Sequence, residues 1–193
     1  MKDLQNILNL TRGHNQYLEE RIDLVASNSM ISSFARFALG SMLSNSYCIG
    51  TPGRRLYGGC SYIDMVEEDV MRLAKELFKT KFAMTQFLSG MQANIGAYNT
   101  LLEPGDKVVS APAKHGGHYS HNTAGPLRFY SNDILPVPFN PETYNIDLEG
   151  LTQMFDAERP QLLVVGWSEF PFAHPLYELR ALCDAFNVKL MYD

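Results

Sequence analysis

The stretch Asn45–Cys60, NSYCIGTPGRRLYGGC, concentrates residue types able to do chemistry. Gly50, Gly53, Gly58 and Gly59 permit positive φ and close approach of backbone to a neighbour or ligand. Pro52-Gly53 marks a turn. Arg54 and Arg55 carry forked donors suited to carboxylate or phosphate, and Tyr47 and Tyr57 add rigid rings with acidic hydroxyls. A tight solvated loop would use some of these residues; it has no need of all of them together.

Three further groups follow. Ser89-Gly90-Met91-Gln92-Ala93-Asn94 sits where a strand should turn into a helix. A helix start offers free N–H groups and partial positive charge, so Ser89 and Gly90 would let a phosphate approach; Ser89 also reads as an ordinary N-cap. Neither a GK[ST] loop nor a GxGxxG after a strand is present, which weakens nucleotide readings. Lys114-His115-Gly116-Gly117-His118, with His121 three residues on, raises zinc as a third reading through His115, His118 and His121. No Cys, Asp or Glu nearby completes a ligand set, and the glycines after His115 suit a ring pressed against a flat ligand better than a metal cage, so no metal is expected. Asp193 ends a strand at the edge where ligands sit in parallel sheets; a carboxylate there either caps a loop or pairs with a protonated ring nitrogen, as pyridoxal phosphate requires.

The elements that must position these residues show in the apolar pattern. Helices are expected at 2–20, 31–43 and 62–79, the last with Ile63, Val66, Val70, Leu73, Ala74 and Leu77 as a core-facing stripe. An alternation follows: strand 82–87, helix 90–102, strand 107–110, a short helix or turn at 115–121, extended segments 127–130 and 134–138, helix 147–158, strand 161–166, helix 175–186 and strand 188–192. Pro136 and Pro138 limit 134–138 to a sheet edge or a non-strand. This order predicts α/β architecture with a mainly parallel sheet.

Composition sets the outer limits. The 193 residues suffice for one sizeable core. A net charge of −5 argues against broad attraction to nucleic acid or anionic membrane. No run approaches the ~18 apolar residues of a membrane span. Cys48, Cys60 and Cys183 show no CxxC spacing, as expected of free thiols in a reducing, cytoplasmic compartment. VKLMYD at 188–193 reads as a buried strand reaching its end, so the chain is expected to be the front part of a longer protein.

Taken in order, ASNS at 26–29, NSYCIGTPGRRLYGGCSYID at 45–64, SGMQAN at 89–94, HGGHYSH at 115–121, WSEF at 167–170 and a strand ending in Asp193 resemble the serine hydroxymethyltransferase family. AKELF (74–78) and LLEPGDKVV (101–109) match as well. The resemblance implies the three-layer large domain of a fold-type I pyridoxal-phosphate transferase, incomplete here. It would comprise an N-terminal helical arm (1–20) and the front of the cofactor-binding domain (21–193), without the small C-terminal domain. It implies a cytoplasmic homodimer acting on a small amino acid in one-carbon metabolism, making or breaking a Cα–Cβ bond in serine/glycine interconversion. Ser89, Gly90 and Met91 would lie at the cofactor phosphate. His115 would stack on the ring, Ser168 would lie near its 3′ oxygen, and Asp193 would pair with its nitrogen. Ser27 would contact the substrate carboxylate. Tyr47 and Tyr57 would approach cofactor and substrate, Tyr47 across the dimer interface.

The chain departs from that pattern at four positions. Ile49 stands where the family has an acid/base glutamate, and Leu56 where it has a folate-contacting tyrosine. Asn28 replaces a glutamate, and Met91 a phosphate-binding serine. Since general acid–base help is typically worth about 10²–10⁴-fold, these changes put tetrahydrofolate use in question. They raise a folate-independent β-hydroxy amino acid aldolase as an alternative. The family's cofactor-binding lysine follows the Asp strand, and no lysine up to Lys189 stands in its context, which raises a non-catalytic partner subunit as another.

Overall fold

The computed structural model describes residues 2–25 and 27–193; Met1, the first residue of the expected arm, and Ala26 of the ASNS motif lie outside them. The chain divides into two compact units, 1–83 and 84–193.

In the second unit, β3 (Lys107–Ser110), β4 (Asp133–Pro136), β7 (Leu162–Val165) and β8 (Lys189–Tyr192) form a parallel sheet in the order β4-β3-β7-β8. Side chains alternate across its two faces. Val109, Leu163 and Val165 pack with Leu151 and Phe155 of α5 (Leu148–Glu158) and with Leu179 and Cys183 of α6 (Leu176–Phe186). Val108, Leu162 and Val164 face the other way, onto Tyr98 of α4 (Gly90–Leu101), Leu102 and Leu127. Helices cover both faces, so the architecture is three-layered, as the resemblance implies. Each fully buried Val, Leu or Phe contributes about 1.5–3 kcal/mol of transfer free energy, so these two clusters dominate the stability of the unit. β4 is an edge strand, as Pro136 requires. A small antiparallel ladder of β5 (Phe139–Asn140) and β6 (Asn145–Ile146), not anticipated from the sequence, links β4 to α5.

The first unit carries α1 (Lys2–Glu19), α2 (Ser33–Leu39), a two-residue-turn hairpin of β1 (Gly50–Thr51) and β2 (Arg54–Arg55), and α3 (Ser61–Phe78). Pro52-Gly53 forms the expected turn, with Gly53 at φ 71°.

Four expectations change. Residues 82–87 form no strand: they have no ladder partner among the described residues, and Phe82 is 88% exposed. Residues 127–130 are not extended; Pro126–Phe129 is a 3₁₀ turn, begun by the proline's preset φ. Helix 31–43 shortens to α2, because Ser32 caps its start and Gly40 closes it; a separate 3₁₀ turn, Met42–Asn45, follows. The α3 stripe is not core in this chain. Val66, Val70, Leu73 and Leu77 are all exposed, since no element of their unit covers them, and an amphipathic face is buried only against a partner.

Candidate active site at the carboxyl ends of the parallel strands

Parallel β3, β7 and β8 all end at one edge of the sheet, which delivers the segments that follow them to a common place. After β3, the chain makes two 3₁₀ turns, Ala113–His115 and Tyr119–His121. After β7 it enters Gly166–Phe170, and β8 delivers Asp193. Two contacts tie these segments together. Glu169 N–H donates to Gly116 O at 3.1 Å, and Asp193 N–H donates to Val165 O at 2.9 Å. The glycines here are required by space: a Cβ on Gly116 (φ +89°) would strike the Glu169 carbonyl, one on Gly117 the Ala111 carbonyl, and one on Gly166 (φ +90°) the Asp193 backbone.

Helix α4 closes the arrangement. Ser89 is its N-cap, with Oγ accepting from Gln92 N–H at 3.2 Å. Gln92 Oε1 in turn accepts from Leu88 N–H, a near relative of the capping box. The N–H groups of Gly90 and Met91 meet no acceptor among the described residues, and nothing lies within 4 Å of a Cβ built on Gly90. A turn further on, Asn94 Nδ2 donates to Asp193 Oδ2 at 3.2 Å and to Ser120 Oγ at 2.9 Å. One helix therefore spans from an open, anion-accepting end to the Asp193 carboxylate.

Asp193 is held by His121, whose Nε2 lies 2.7 Å from Oδ2. That hydrogen bond, with smaller help from Asn94 and from the charge of His121 and His118, keeps the carboxyl below its ordinary range against partial burial. Asp193 Oδ1 takes part in no hydrogen bond among the described residues. His118 also stands here: ligand atoms of His118, His121 and Asp193 all lie within 4.8 Å of one another. The acid missing from the neighbourhood of the histidines in the sequence is thus supplied from 72 residues away. Several atoms of these groups already have partners, however. His118 Nδ1 takes the Ser120 hydroxyl at 2.7 Å, and His121 Nδ1 meets the Tyr98 hydroxyl at 2.5 Å. The set is a hydrogen-bond network.

His115 is placed differently. Its ring stacks on Phe139, with centroids 4.6 Å apart and planes 26° apart, and its Nδ1 is buried without a partner. Burial, then the charge of Lys114, lowers its pKa. Ser168 is exposed between buried Trp167 and Glu169, in the segment bonded to Gly116. Beside it, Trp167, Phe170 and His174 form an aromatic cluster, in which Trp167 Nε1 and His174 Nδ1 are buried without partners.

Tyr47, Tyr57 and Ser27 belong to the first unit. Ser27 is exposed in a turn after Asp23. The Tyr47 and Tyr57 rings are 5.4 Å apart at the base of the β1–β2 hairpin, and Leu56 N–H donates to Ile49 O at 3.0 Å, so the two departures from the family pattern are cross-strand neighbours. Arg55 does not wait for an external anion. Its guanidinium bonds Asp64 at 2.7 Å, Glu67 at 2.8 Å and the carbonyls of Cys48 and Gly50, and it is nearly enclosed. The hydrogen bonds to Asp64 and then Glu67 raise its already high pKa. Arg55 is therefore the internal tie between hairpin and α3, and Arg54 is the exposed member of the pair.

Sequence reasoning named His118 and His121 only for a zinc reading and did not single out Tyr98 or Ser120. The three-residue spacing of His118 and His121 was visible, but its acidic partner was not.

Comparison with known proteins gives the family. A chain from Dehalococcoides mccartyi strain 195, named serine hydroxymethyltransferase, is 38% identical over 176 residues, 91% of this chain and 42% of its own length. Proteins of the same name from Methanosphaera stadtmanae and Methanothermobacter thermautotrophicus are 32% and 35% identical, over 100% and 98% of this chain and 46% and 45% of theirs. The chain thus spans under half the length of these curated relatives. The family model for serine hydroxymethyltransferase matches residues 1–193 from end to end, and the chain belongs to that family.

Proposed function

We propose that this chain is the front part of a pyridoxal-phosphate enzyme that interconverts serine and glycine. The observation that carries the reading is the Asp193 carboxylate: held through Oδ2, free at Oδ1 among the described residues, and bonded by Asn94 of the helix whose open end can take a phosphate. The residues present fit the cofactor. The free N–H groups of Gly90 and Met91 and the Ser89 hydroxyl suit its phosphate, although Met91 brings no hydroxyl of its own. The unpartnered Oδ1 of Asp193 suits a protonated ring nitrogen.

When bound, the cofactor supplies an electron sink for negative charge developing at the substrate Cα. The protein's part is to anchor the phosphate at the start of α4 and to hold the ring-nitrogen proton at Asp193. We assign the ring-stacking role to His115, whose ring is backed on one face by Phe139, and place His118, bonded to Ser120, beside the Asp193 carboxylate. Ser168 is assigned to the 3′ oxygen side, and Ser27, Tyr47 and Tyr57 to the substrate. The reading includes a cytoplasmic homodimer in which Tyr47 serves the neighbouring site. The apolar Ile49–Leu56 pair stands where an acid and a phenol would serve folate, so tetrahydrofolate-dependent turnover is expected to be slow by about 10²–10⁴-fold.

The test is equilibrium binding of pyridoxal phosphate to the full-length protein, read by absorbance, followed by addition of glycine or serine. Stoichiometric binding that Asp193→Ala weakens, with a spectral response to either amino acid, is the expected result. A protein that binds no cofactor overturns the reading, and binding indifferent to Asp193 overturns the site.

A further inference from the structure

One assignment of donors and acceptors around His121 gives every buried group a partner. The ring is buried, 3% exposed, between Tyr98 and Asp193. The Tyr98 hydroxyl has one proton to give. It lies 2.9 Å from the Ser120 carbonyl, which can only accept, so the proton points there. With the proton there, the Tyr98 oxygen, 2.5 Å from His121 Nδ1, accepts from an Nδ1–H. On the other side, Asp193 Oδ2 lies 2.7 Å from Nε2 and already accepts from Asn94 Nδ2–H at 3.2 Å. A carboxylic acid beside an imidazole gives up its proton to it, so the hydrogen between them sits on Nε2. Both ring nitrogens are donors.

The neighbours fit the same arrangement. Asn94 uses its second N–H on Ser120 Oγ, so that hydroxyl sends its own proton to His118 Nδ1, 2.7 Å away. Ser120 N–H points at the same nitrogen. His118 thus accepts at Nδ1. The Ser110 hydroxyl donates to the His121 carbonyl, which fixes the backbone beneath the ring. The titratable groups facing His121 are Tyr98, His118 and Asp193, of which only Asp193 carries negative charge.

We propose that His121 is a positioning residue held as an imidazolium, a buried cation that keeps Asp193 ionised and turned so that Oδ1 stays free. The consequence for the cofactor rests on the function proposed above: the charge needed at the ring nitrogen is prepared by a residue that never touches it. The charge state itself rests only on this chain's geometry.

Two measurements test this on the full-length protein. The first is nitrogen-15 NMR of the histidine rings of the cofactor-free protein at about neutral pH, with His121 assigned through bonds. Two protonated nitrogens are expected; one bare nitrogen overturns the proposal. The second is pyridoxal phosphate binding by His121→Gln, which keeps one amide donor but no charge. The dissociation constant should rise about tenfold or more, the worth of one charge-assisted hydrogen bond. Unchanged affinity overturns the positioning role. A wild-type protein that binds no cofactor but shows the doubly protonated ring would sink the proposed function and leave the imidazolium established.

Discussion

Tyr98→Phe removes one oxygen from a fully buried side chain and leaves the rest of the core in place. The oxygen has two partners. The Ser120 carbonyl loses its donor at 2.9 Å, and His121 Nδ1–H loses its acceptor at 2.5 Å. Neither is reached by water, so neither is compensated. A buried polar group left unmet costs about 1–3 kcal/mol, more for a charged one. Phe is cheaper to bury than Tyr, which offsets part of this, and a net loss of about 3 kcal/mol is expected. Set against a typical stability of about 5–15 kcal/mol, that is a large fraction. The assay is urea unfolding of the full-length protein, comparing midpoints at equal slope. Tyr130→Phe is the control: its ring lies 5.7 Å from Tyr98, and its hydroxyl makes no hydrogen bond among the described residues, so it should change stability by under about 0.5 kcal/mol. If the two variants prove equally mild, the donor accounting around His121 is wrong. Burial also pushes the Tyr98 phenol well above its ordinary pKa, so alkaline titration should show no phenolate from this residue before the protein unfolds.

Two further perturbations act on Asp193 itself. Gly166→Ala places a Cβ at φ +90° and against the Asp193 backbone, costing about 1–2 kcal/mol in backbone conformation and about 1–3 kcal/mol in overpacking; thermal unfolding should show the loss, and cofactor affinity should fall with it. Because the folded Asp193 carboxyl is held below its unfolded value, its stabilising contribution is complete above about pH 4 and is lost as pH falls through the lower folded value; the stability gap between wild type and Asp193→Asn should therefore narrow on acidification, and a gap that widens would contradict the assigned ion pair.

What could be read in the chain depended on how far apart the interacting residues lie. The unbroken apolar runs Val108-Val109 and Leu162–Val165 mark strands buried on both faces, and the structure sorts those side chains onto two clusters accordingly. The start of α4 was legible from Ser89 and Gly90 because a cap is a matter of three or four residues. Segment 82–87 looked like a strand for the same local reasons, yet a strand exists only with a partner, and nothing within six residues reveals whether one is present. The stripe on α3 is the same case, for its helix formed as expected while its apolar face stayed exposed. At the site, the resemblance brings His115 and the terminal aspartate to one cofactor, but the direct contact of His121 with Asp193 is not legible, because 72 residues separate the two. The parallel topology joins them: β3 and β8 both run toward the same edge, flanking β7, so whatever follows one must meet what ends the other. Spacing likewise holds neither the Phe139 ring that backs His115 nor the Ser120 hydroxyl that bonds His118.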